Sequence, residues 1–108
     1  MKEKANVEKK IEELRVIEGS LQNLLAQKQS LQLELNEVKN ALSEIDKTSD
    51  DVYKIVAGVM LRAAKDKLKQ ELGEREKTLK MRIEAIEKQE KLLEKKTAEI
   101  RREINLGA

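Results

Sequence analysis

The sequence predicts a mainly α fold, a long antiparallel two-helix coiled coil with a β-hairpin inserted between the helices. Charged residues make up 41% of the 108 residues and aromatic residues 1%, a composition typical of long helices that bury only a narrow apolar stripe. Apolar residues recur at heptad spacing in two stretches, and a short segment rich in strand-forming residues separates them. The chain is short enough for one domain, which we assign to residues 1–108.

The first heptad stretch predicts a helix over residues 5–47. Its apolar residues occupy the a and d positions that form the seam of a coiled coil. They are Val7, Leu14, Ile17, Leu21, Leu24, Leu31, Leu35, Val38, Leu42 and Ile45. Lys10 and Lys28 also fall on the seam, where a lysine either extends its ammonium group to water or helps to fix the register. The short polar residues 48–51 compete for backbone hydrogen bonds, so we expect the helix to end there.

The second heptad stretch predicts a helix over residues 66–105, with Asp66 as its N-cap. Its seam is less regular because Glu76, Glu90 and Thr97 interrupt the apolar stripe. The apolar seam residues are Leu68, Leu72, Leu79, Ile83, Ile86, Leu93, Ile100 and Ile104. The two stripes are nearly equal in length, so an antiparallel pair would bury both, with arms roughly 55–60 Å long at 1.5 Å per residue.

The segment between the helices, residues 52–63, predicts a β-hairpin that turns at Ala57 and Gly58. An isolated hairpin is marginal in water and leaves unpaired strand edges, so we expect it to pair with hairpins of other subunits. Ile55 and Leu61 are expected on the sheet face that such an assembly buries. The predicted oligomerisation residues are Val52, Tyr53, Ile55, Val56, Val59, Met60 and Leu61. The alternative is that this segment forms a helical turn of a simple αα-hairpin.

Several functional classes lack support in the sequence. The chain has no His and no Cys, and it lacks a Gly-rich phosphate-binding loop, so we expect no catalytic residues, no metal, no cofactor and no ATP-driven cycle. The formal net charge of +2 is too small to attract nucleic acid or anionic lipid strongly. No apolar run reaches the roughly 20 residues that span a bilayer, and we expect a soluble, cytoplasmic protein that binds neither membrane nor nucleic acid.

Four short segments in this order resemble the β subunits of archaeal prefoldins. Asp51–Gly58 is similar to that family's first hairpin strand and turn, and Ala64–Leu72 is similar to the start of its second helix. Glu87–Lys91 matches a Glu-(Arg/Lys)-Gln-Glu-Lys run, and Gln27–Gln29 matches a Gln-Lys-Gln element. The chain departs from the family pattern in having no Pro and in placing Ala57 where a Gly is common.

The resemblance implies an ATP-independent chaperone that holds unfolded polypeptides. It implies a hexamer of two α-type and four β-type subunits, in which the hairpins form a β-barrel body and the coiled coils project from it. It also implies delivery of captured chains to a group II chaperonin. In the predicted antiparallel arrangement both chain ends lie at the tip of the arm, where apolar residues have few partners and could bind clients. Those residues are Val7, Ile11, Leu14, Ile100, Ile104 and Leu106.

Two other functions remain open at this point. The chain could be a structural coiled-coil spacer or dimeriser, in which case the terminal apolar residues simply complete the seam. It could also be an RNA-binding coiled-coil arm, as the basic residues near the end of the second helix suggest. These residues are Lys95, Lys96, Arg101 and Arg102, but glutamates interleave with them and no aromatic side chain is present to stack on bases.

Overall fold

Two helices flank a two-stranded antiparallel sheet in the computed structural model, which describes residues 2–107 and the side chains of residues 4–106. The elements are α1 (Lys2–Lys47), β1 (Val52–Val56), β2 (Val59–Ala63) and α2 (Lys65–Gly107). The predicted order of helix, hairpin and helix is confirmed, and the alternative of a helical turn between the helices is wrong. No helix within residues 2–107 is long and apolar enough to cross a membrane.

The start of α2 differs from the prediction that Asp66 caps it. The helix begins at Lys65, and the amide of Leu68 donates to the carbonyl oxygen of Ala64 over 2.9 Å, so Asp66 lies inside the first turn. The carboxylate of Asp66 is still favourably placed there, because the exposed amides of a first turn carry partial positive charge. At the other end of the connection, α1 ends at Lys47 and the short polar residues follow it, as predicted.

The chain divides into two compact units. The terminal unit comprises residues 2–29 and 84–107, and the hairpin unit comprises residues 30–83. Ion pairs show antiparallel helices inside each one: Lys10–Glu103 (3.5 Å) and Lys28–Glu90 (2.7 Å) in the terminal unit, and Asp46–Lys69 (2.6 Å) in the hairpin unit. In the terminal unit the partner's number falls from 103 to 90 as the residue number on α1 rises from 10 to 28. In the hairpin unit it falls from 75 to 69 between the pairs Glu34–Arg75 and Asp46–Lys69.

The buried core of each unit consists of predicted seam residues. In the terminal unit the buried side chains are Ile17, Leu24, Ile86 and Ile100. In the hairpin unit they are Leu31, Leu35, Val38, Ile45, Leu79 and Ile83. All ten buried side chains are thus predicted seam residues, and the other eight apolar seam residues are half-buried. Burial of this narrow stripe is the main source of helix stability, because propensity alone does not hold long helices together.

Leu79 offers the clearest test of the seam because it is 0% exposed. We expect Leu79→Ala to lower the free energy of unfolding by about 2–5 kcal/mol, through lost apolar burial and the cavity left behind. The matched control is Leu33→Ala on the outer surface of α1, where Leu33 is 63% exposed and truncation should cost less than about 0.5 kcal/mol. Equal denaturation midpoints for the two variants would contradict this assignment.

The hairpin turns through two residues, both in the left-handed region. Ala57 has φ 50° and Gly58 has φ 79°, and Val56 pairs with Val59 immediately outside them. Positive φ at both central residues is the signature of a type I′ turn, whose twist matches that of the flanking strands. Gly58 adopts this conformation freely, whereas the side chain of Ala57 costs about 1–2 kcal/mol there. The turn geometry therefore prevails over an unfavourable residue.

Replacing Ala57 should stabilise the hairpin. We expect Ala57→Asn to raise its stability by about 1 kcal/mol, because asparagine tolerates the left-handed conformation. Hydrogen exchange of the strand amides would measure the gain. The control is Gly58→Ala, whose added Cβ meets no atom within 4 Å, so that any loss comes from the backbone alone. Slower exchange in Gly58→Ala than in Ala57→Asn would refute the turn assignment.

Candidate functional site

The two faces of the hairpin have different surroundings in the hairpin unit. Strand pairing sets Ile55 opposite Met60 and Lys54 opposite Leu61, so alternate residues point to opposite faces. One face, which we call the helix-side face, carries Lys54, whose ammonium group lies 3.7 Å from the carboxylate of Glu71 on α2. Its members are Val52, Lys54, Val56, Val59, Leu61 and Ala63. The other, which we call the open face, consists of Tyr53, Ile55, Met60 and Arg62.

The pairing register corrects one expectation. Ile55 and Leu61 were expected on the same face, but Ile55 lies on the open face and Leu61 on the helix-side face. The cause is the two-residue turn, because a loop of different length would shift the register and exchange the faces of one strand. Substituting both residues would therefore alter both faces. A test of the open face requires a substitution of Ile55 or Met60 alone.

Apolar side chains of the hairpin are largely exposed to solvent. Ile55 is 71% exposed, and six of the seven predicted oligomerisation residues are exposed while Val52 is half-buried. Backbone hydrogen bonds outside the helices and the hairpin ladder join only Thr48 to Glu44 and Leu68 to Ala64 over the described part of the chain. Both outer strand edges are therefore unpaired. An apolar face with two free edges is suited to accept further strands.

Polar contacts hold the base of the hairpin against the helix ends. Arg62 donates to the carboxylate of Asp51 over 2.8 Å, and the ammonium group of Lys65 donates to the carbonyl oxygen of Thr48 over 2.7 Å. Each contact is exposed and contributes little to stability alone. Together they cross the connections on both sides of the hairpin, so they orient it within the hairpin unit.

An open groove lies beside β1 in the same unit. It has a volume of about 520 Å³, and Ile45, Leu68 and Leu72 lie in its wall together with Val52 and Tyr53 of the strand. The apolar end of the helix seam is thus continuous with the first strand.

The six predicted client-binding residues all belong to the terminal unit, but they differ in exposure. Leu106 is 81% exposed and Ile11 is exposed, whereas Val7, Leu14 and Ile104 are half-buried. Ile100 is 4% exposed and belongs to the seam core. Ile11 and Leu106 are therefore available to a partner as the helices stand. Ile100 would reach one only if the helix pair opened.

Polar seam residues of the terminal unit form a contact between the helices that sequence reasoning missed. The ammonium group of Lys28 lies 2.7 Å from Oε1 of Glu90, and the side chains are 22% and 14% exposed. Glu90 is thus the partner through which Lys28 could fix the register of the two helices. The sequence signal for this contact was that both residues occupy seam positions. Nearby, the hydroxyl oxygen of Thr97 is buried without a hydrogen-bond partner among residues 4–106.

The Lys28–Glu90 contact also changes the titration of the lysine. The hydrogen bond to Glu90 raises the pKa of Lys28 above its ordinary value, and the neighbouring carboxylate charges add to this effect while burial opposes it. Because the folded-state pKa is raised, the contribution to stability is complete below the pKa of an unfolded lysine and is lost as the pH rises through the folded value. The pair is therefore fully ionised on its lysine side near neutral pH.

Two of the four basic residues that suggested RNA binding lie beside carboxylates. Arg101 lies 3.8 Å from the carboxylate of Glu18, and Lys96 lines a groove together with Lys9, Glu12 and Glu13. Carboxylates alternate with the cations on this surface. Over the residues that the structure describes, no group of three or more carboxylates is placed to hold a metal ion.

Comparison with known proteins gives one consistent family. A family model described as "Prefoldin subunit" matches residues 2–106. A prefoldin subunit beta of Thermococcus kodakarensis is 43% identical over 94 residues, which are 85% of this chain and 80% of that protein. That of Pyrococcus furiosus is 38% identical over 94 residues, with the same shares. The crystal structure of the prefoldin beta subunit from Thermococcus strain KS-1 superposes with a TM-score of 0.85 at 39% identity, covering 92% of this chain and 89% of that chain.

Proposed function

This chain belongs to the prefoldin family as a β-type subunit, and we propose that it holds unfolded polypeptides in the cytoplasm, without ATP, as part of a hetero-oligomeric chaperone. The observation that carries the proposal is the hairpin, whose open face and two strand edges lack partners within the described chain. On a lone subunit such a surface promotes aggregation, whereas in an oligomer it forms the contact between subunits. The chain therefore acts as one piece of a larger particle.

Assembly is proposed to use the hairpin as the joining element. Hairpins of two α-type and four β-type subunits would pair edge to edge into a β-barrel body. Closure of a barrel satisfies every strand edge and buries one face of each hairpin. The contacts of Asp51 with Arg62 and of Thr48 with Lys65 support this role, because a hairpin oriented in advance loses less freedom when it joins others.

Client holding is proposed for the terminal unit. Ile11 and Leu106 are exposed, and Val7, Leu14 and Ile104 are half-buried and become available when the terminal turns fray. A single arm offers only a small apolar surface and binds weakly. Several arms on one body engage a client together, which raises the effective concentration of each further contact and slows release. Captured chains would then pass to a group II chaperonin.

The proposal is tested by reconstitution with an α-type prefoldin subunit. We expect light scattering to give the mass of a hexamer, and we expect that hexamer to suppress aggregation of a denatured protein equally with and without ATP. A control reaction omits the α-type subunit. A particle that assembles but leaves aggregation unchanged would indicate a structural spacer and refute client holding. Transfer to a group II chaperonin is read separately as recovery of folded client.

A further inference from the structure

Charged residues on the seam are sorted by sign between the two helices. The charged seam positions of α1 are both lysines, Lys10 and Lys28. Those of α2 are both glutamates, Glu76 and Glu90. A seam lysine of α1 therefore finds a seam carboxylate only on α2, as Lys28 finds Glu90, whereas Glu76 pairs with Lys80 of its own helix over 3.2 Å.

We propose that these sorted charges decide which helices pair, directing α1 onto α2 and disfavouring the pairing of either helix with a second copy of itself. The proposal concerns the specificity of helix pairing, and it stands independently of client holding. One polar residue at a seam position is known to select register and partner in coiled coils at some expense of stability. Here two complementary residues on different helices would make that selection together.

The Lys28–Glu90 pair is the contact with most influence on this choice. Its side chains are 22% and 14% exposed, whereas the partners in the Arg15–Glu12 pair on the surface are 73% and 67% exposed. Surface pairs contribute little, because water screens them and long side chains lose freedom. A part-buried pair is more selective, since removing one partner leaves a charge in an apolar seam without compensation. Lys10 also contacts α2, 3.5 Å from Glu103, but Glu103 lies outside the seam and is 57% exposed, so this pair adds less.

No seam position of α1 carries a carboxylate, so a pairing of α1 with itself sets none opposite Lys28 within the seam. In a parallel pair, equivalent seam positions face each other, so Lys28 would meet the same lysine of the second copy. In an antiparallel pair an a position faces a d position, so Lys28 would meet either Lys10 or an apolar residue. Either outcome repels or isolates an ammonium group. The same reasoning applies to α2, where Glu90 would meet the same glutamate of the second copy in a parallel pair and an apolar side chain in an antiparallel pair.

This selection matters because the apolar part of the seam does not discriminate. Most seam residues of both helices are leucine or isoleucine, and such a stripe packs almost as well against a copy of itself. An oligomer places several chains at high local concentration, where helices of different chains compete for partners. Specificity against these alternatives requires an element that is unfavourable in the wrong pairs, and the sorted charges provide it.

Charge reversal within the full chain tests whether the Lys28–Glu90 pair stabilises the pairing of α1 with α2. We expect Lys28→Glu and Glu90→Lys each to lower the melting temperature by about 5–10 °C, because each places like charges in the seam. The combined variant restores opposite charges with reversed polarity and should recover most of that loss. A double variant that melts no higher than the less stable single variant would overturn the proposal.

A mixing experiment tests partner choice directly. The chain has no cysteine, so Lys10→Cys on a Glu90→Lys chain and Glu103→Cys on a Lys28→Glu chain are unique reporters. The two chains are unfolded together, refolded and treated with a short bismaleimide. Within each chain, positions 28 and 90 then carry like charges, and opposite charges meet only between the two chains. We therefore expect the yield of covalent heterodimer to be at least about fivefold above that of a control mixture in which residues 28 and 90 are unchanged. Heterodimer at the control level would show that seam charges do not choose partners, whatever their effect on melting.

Discussion

Removal of residues 1–10 and 102–108 should leave the assembly with α-type subunits intact and reduce its suppression of client aggregation by about tenfold or more. The deletion takes away Val7, Ile104 and the 81% exposed Leu106, while the hairpin and most of the seam remain. The effect should be large because several arms act together, so that a weaker contact at each arm multiplies into a much faster release. Light scattering reports assembly, and turbidity of a denatured client reports holding.

Point substitutions separate loss of apolar surface from loss of helix length. Ile11→Ser with Leu106→Ser removes two exposed apolar side chains and keeps every residue of the helices. The truncation removes Leu106 but keeps Ile11, so we expect the double variant to reduce holding through loss of exposed apolar surface alone, without any loss of helix length. Leu33→Ser is the matched control, an exposed leucine of the hairpin unit whose loss should leave holding unchanged. Full activity of the truncated assembly would place client binding elsewhere, for example along the arms.

Ile55→Lys should abolish assembly with α-type subunits. Ile55 is 71% exposed in the single chain, so the new ammonium group costs nothing until partner strands cover the open face. Assembly would then bury a charge without a partner, at several kcal/mol for each ion, and this cost repeats for every β-type chain in the particle. Light scattering should show small species only.

The control for this substitution is Leu33→Lys, which places the same charge on an exposed leucine away from the hairpin. That variant should assemble normally. Leu61→Lys lies on the helix-side face, close to Lys54 and its partner Glu71, and it distinguishes the two faces. If Ile55→Lys formed a normal hexamer while Leu61→Lys did not, the open face would be the outer one and the proposed orientation of the hairpin would be reversed.

The helices and their seam were predictable because their information is local and repeated. Heptad spacing places Leu24 and Leu35 on the stripe of α1 and Leu79 on that of α2 whatever lies elsewhere in the chain, and all three are buried. The hairpin was predictable for a similar reason, since strand-forming residues flank Ala57 and Gly58. Identification of the family followed from short segments distributed over the same elements.

Features that depend on register were harder to predict. The two-residue turn predicted at Ala57 and Gly58 pairs Ile55 with Met60, so Ile55 and Leu61 lie on opposite faces and their assignment to one face was an error of register. The partner of Lys28 lies 62 residues away, and recognising it requires the alignment of the two helices. Local propensity also placed the N-cap at Asp66, two residues beyond Ala64, whose carbonyl oxygen accepts the first helical hydrogen bond.

The terminal residues show why exposure could not be inferred from position along the chain. Ile100 and Leu106 both lie near the end of α2, but Ile100 is buried and Leu106 is exposed. Six residues correspond to more than one and a half helical turns, which moves the side chain away from the seam. A helical projection would have separated them, whereas distance from the terminus did not.

Because the hairpin lacks partner strands in the single chain, its stability depends on the concentration of the subunits that bind it. A partner that binds only the ordered hairpin stabilises it by an amount that grows with the logarithm of free partner concentration, about 1.4 kcal/mol for each tenfold excess over the dissociation constant. In subunits made in excess of their partners, the two-stranded sheet would have only marginal stability. It would unfold locally and expose its backbone to proteases. Degradation would therefore remove surplus chains selectively and keep the supply of subunits balanced.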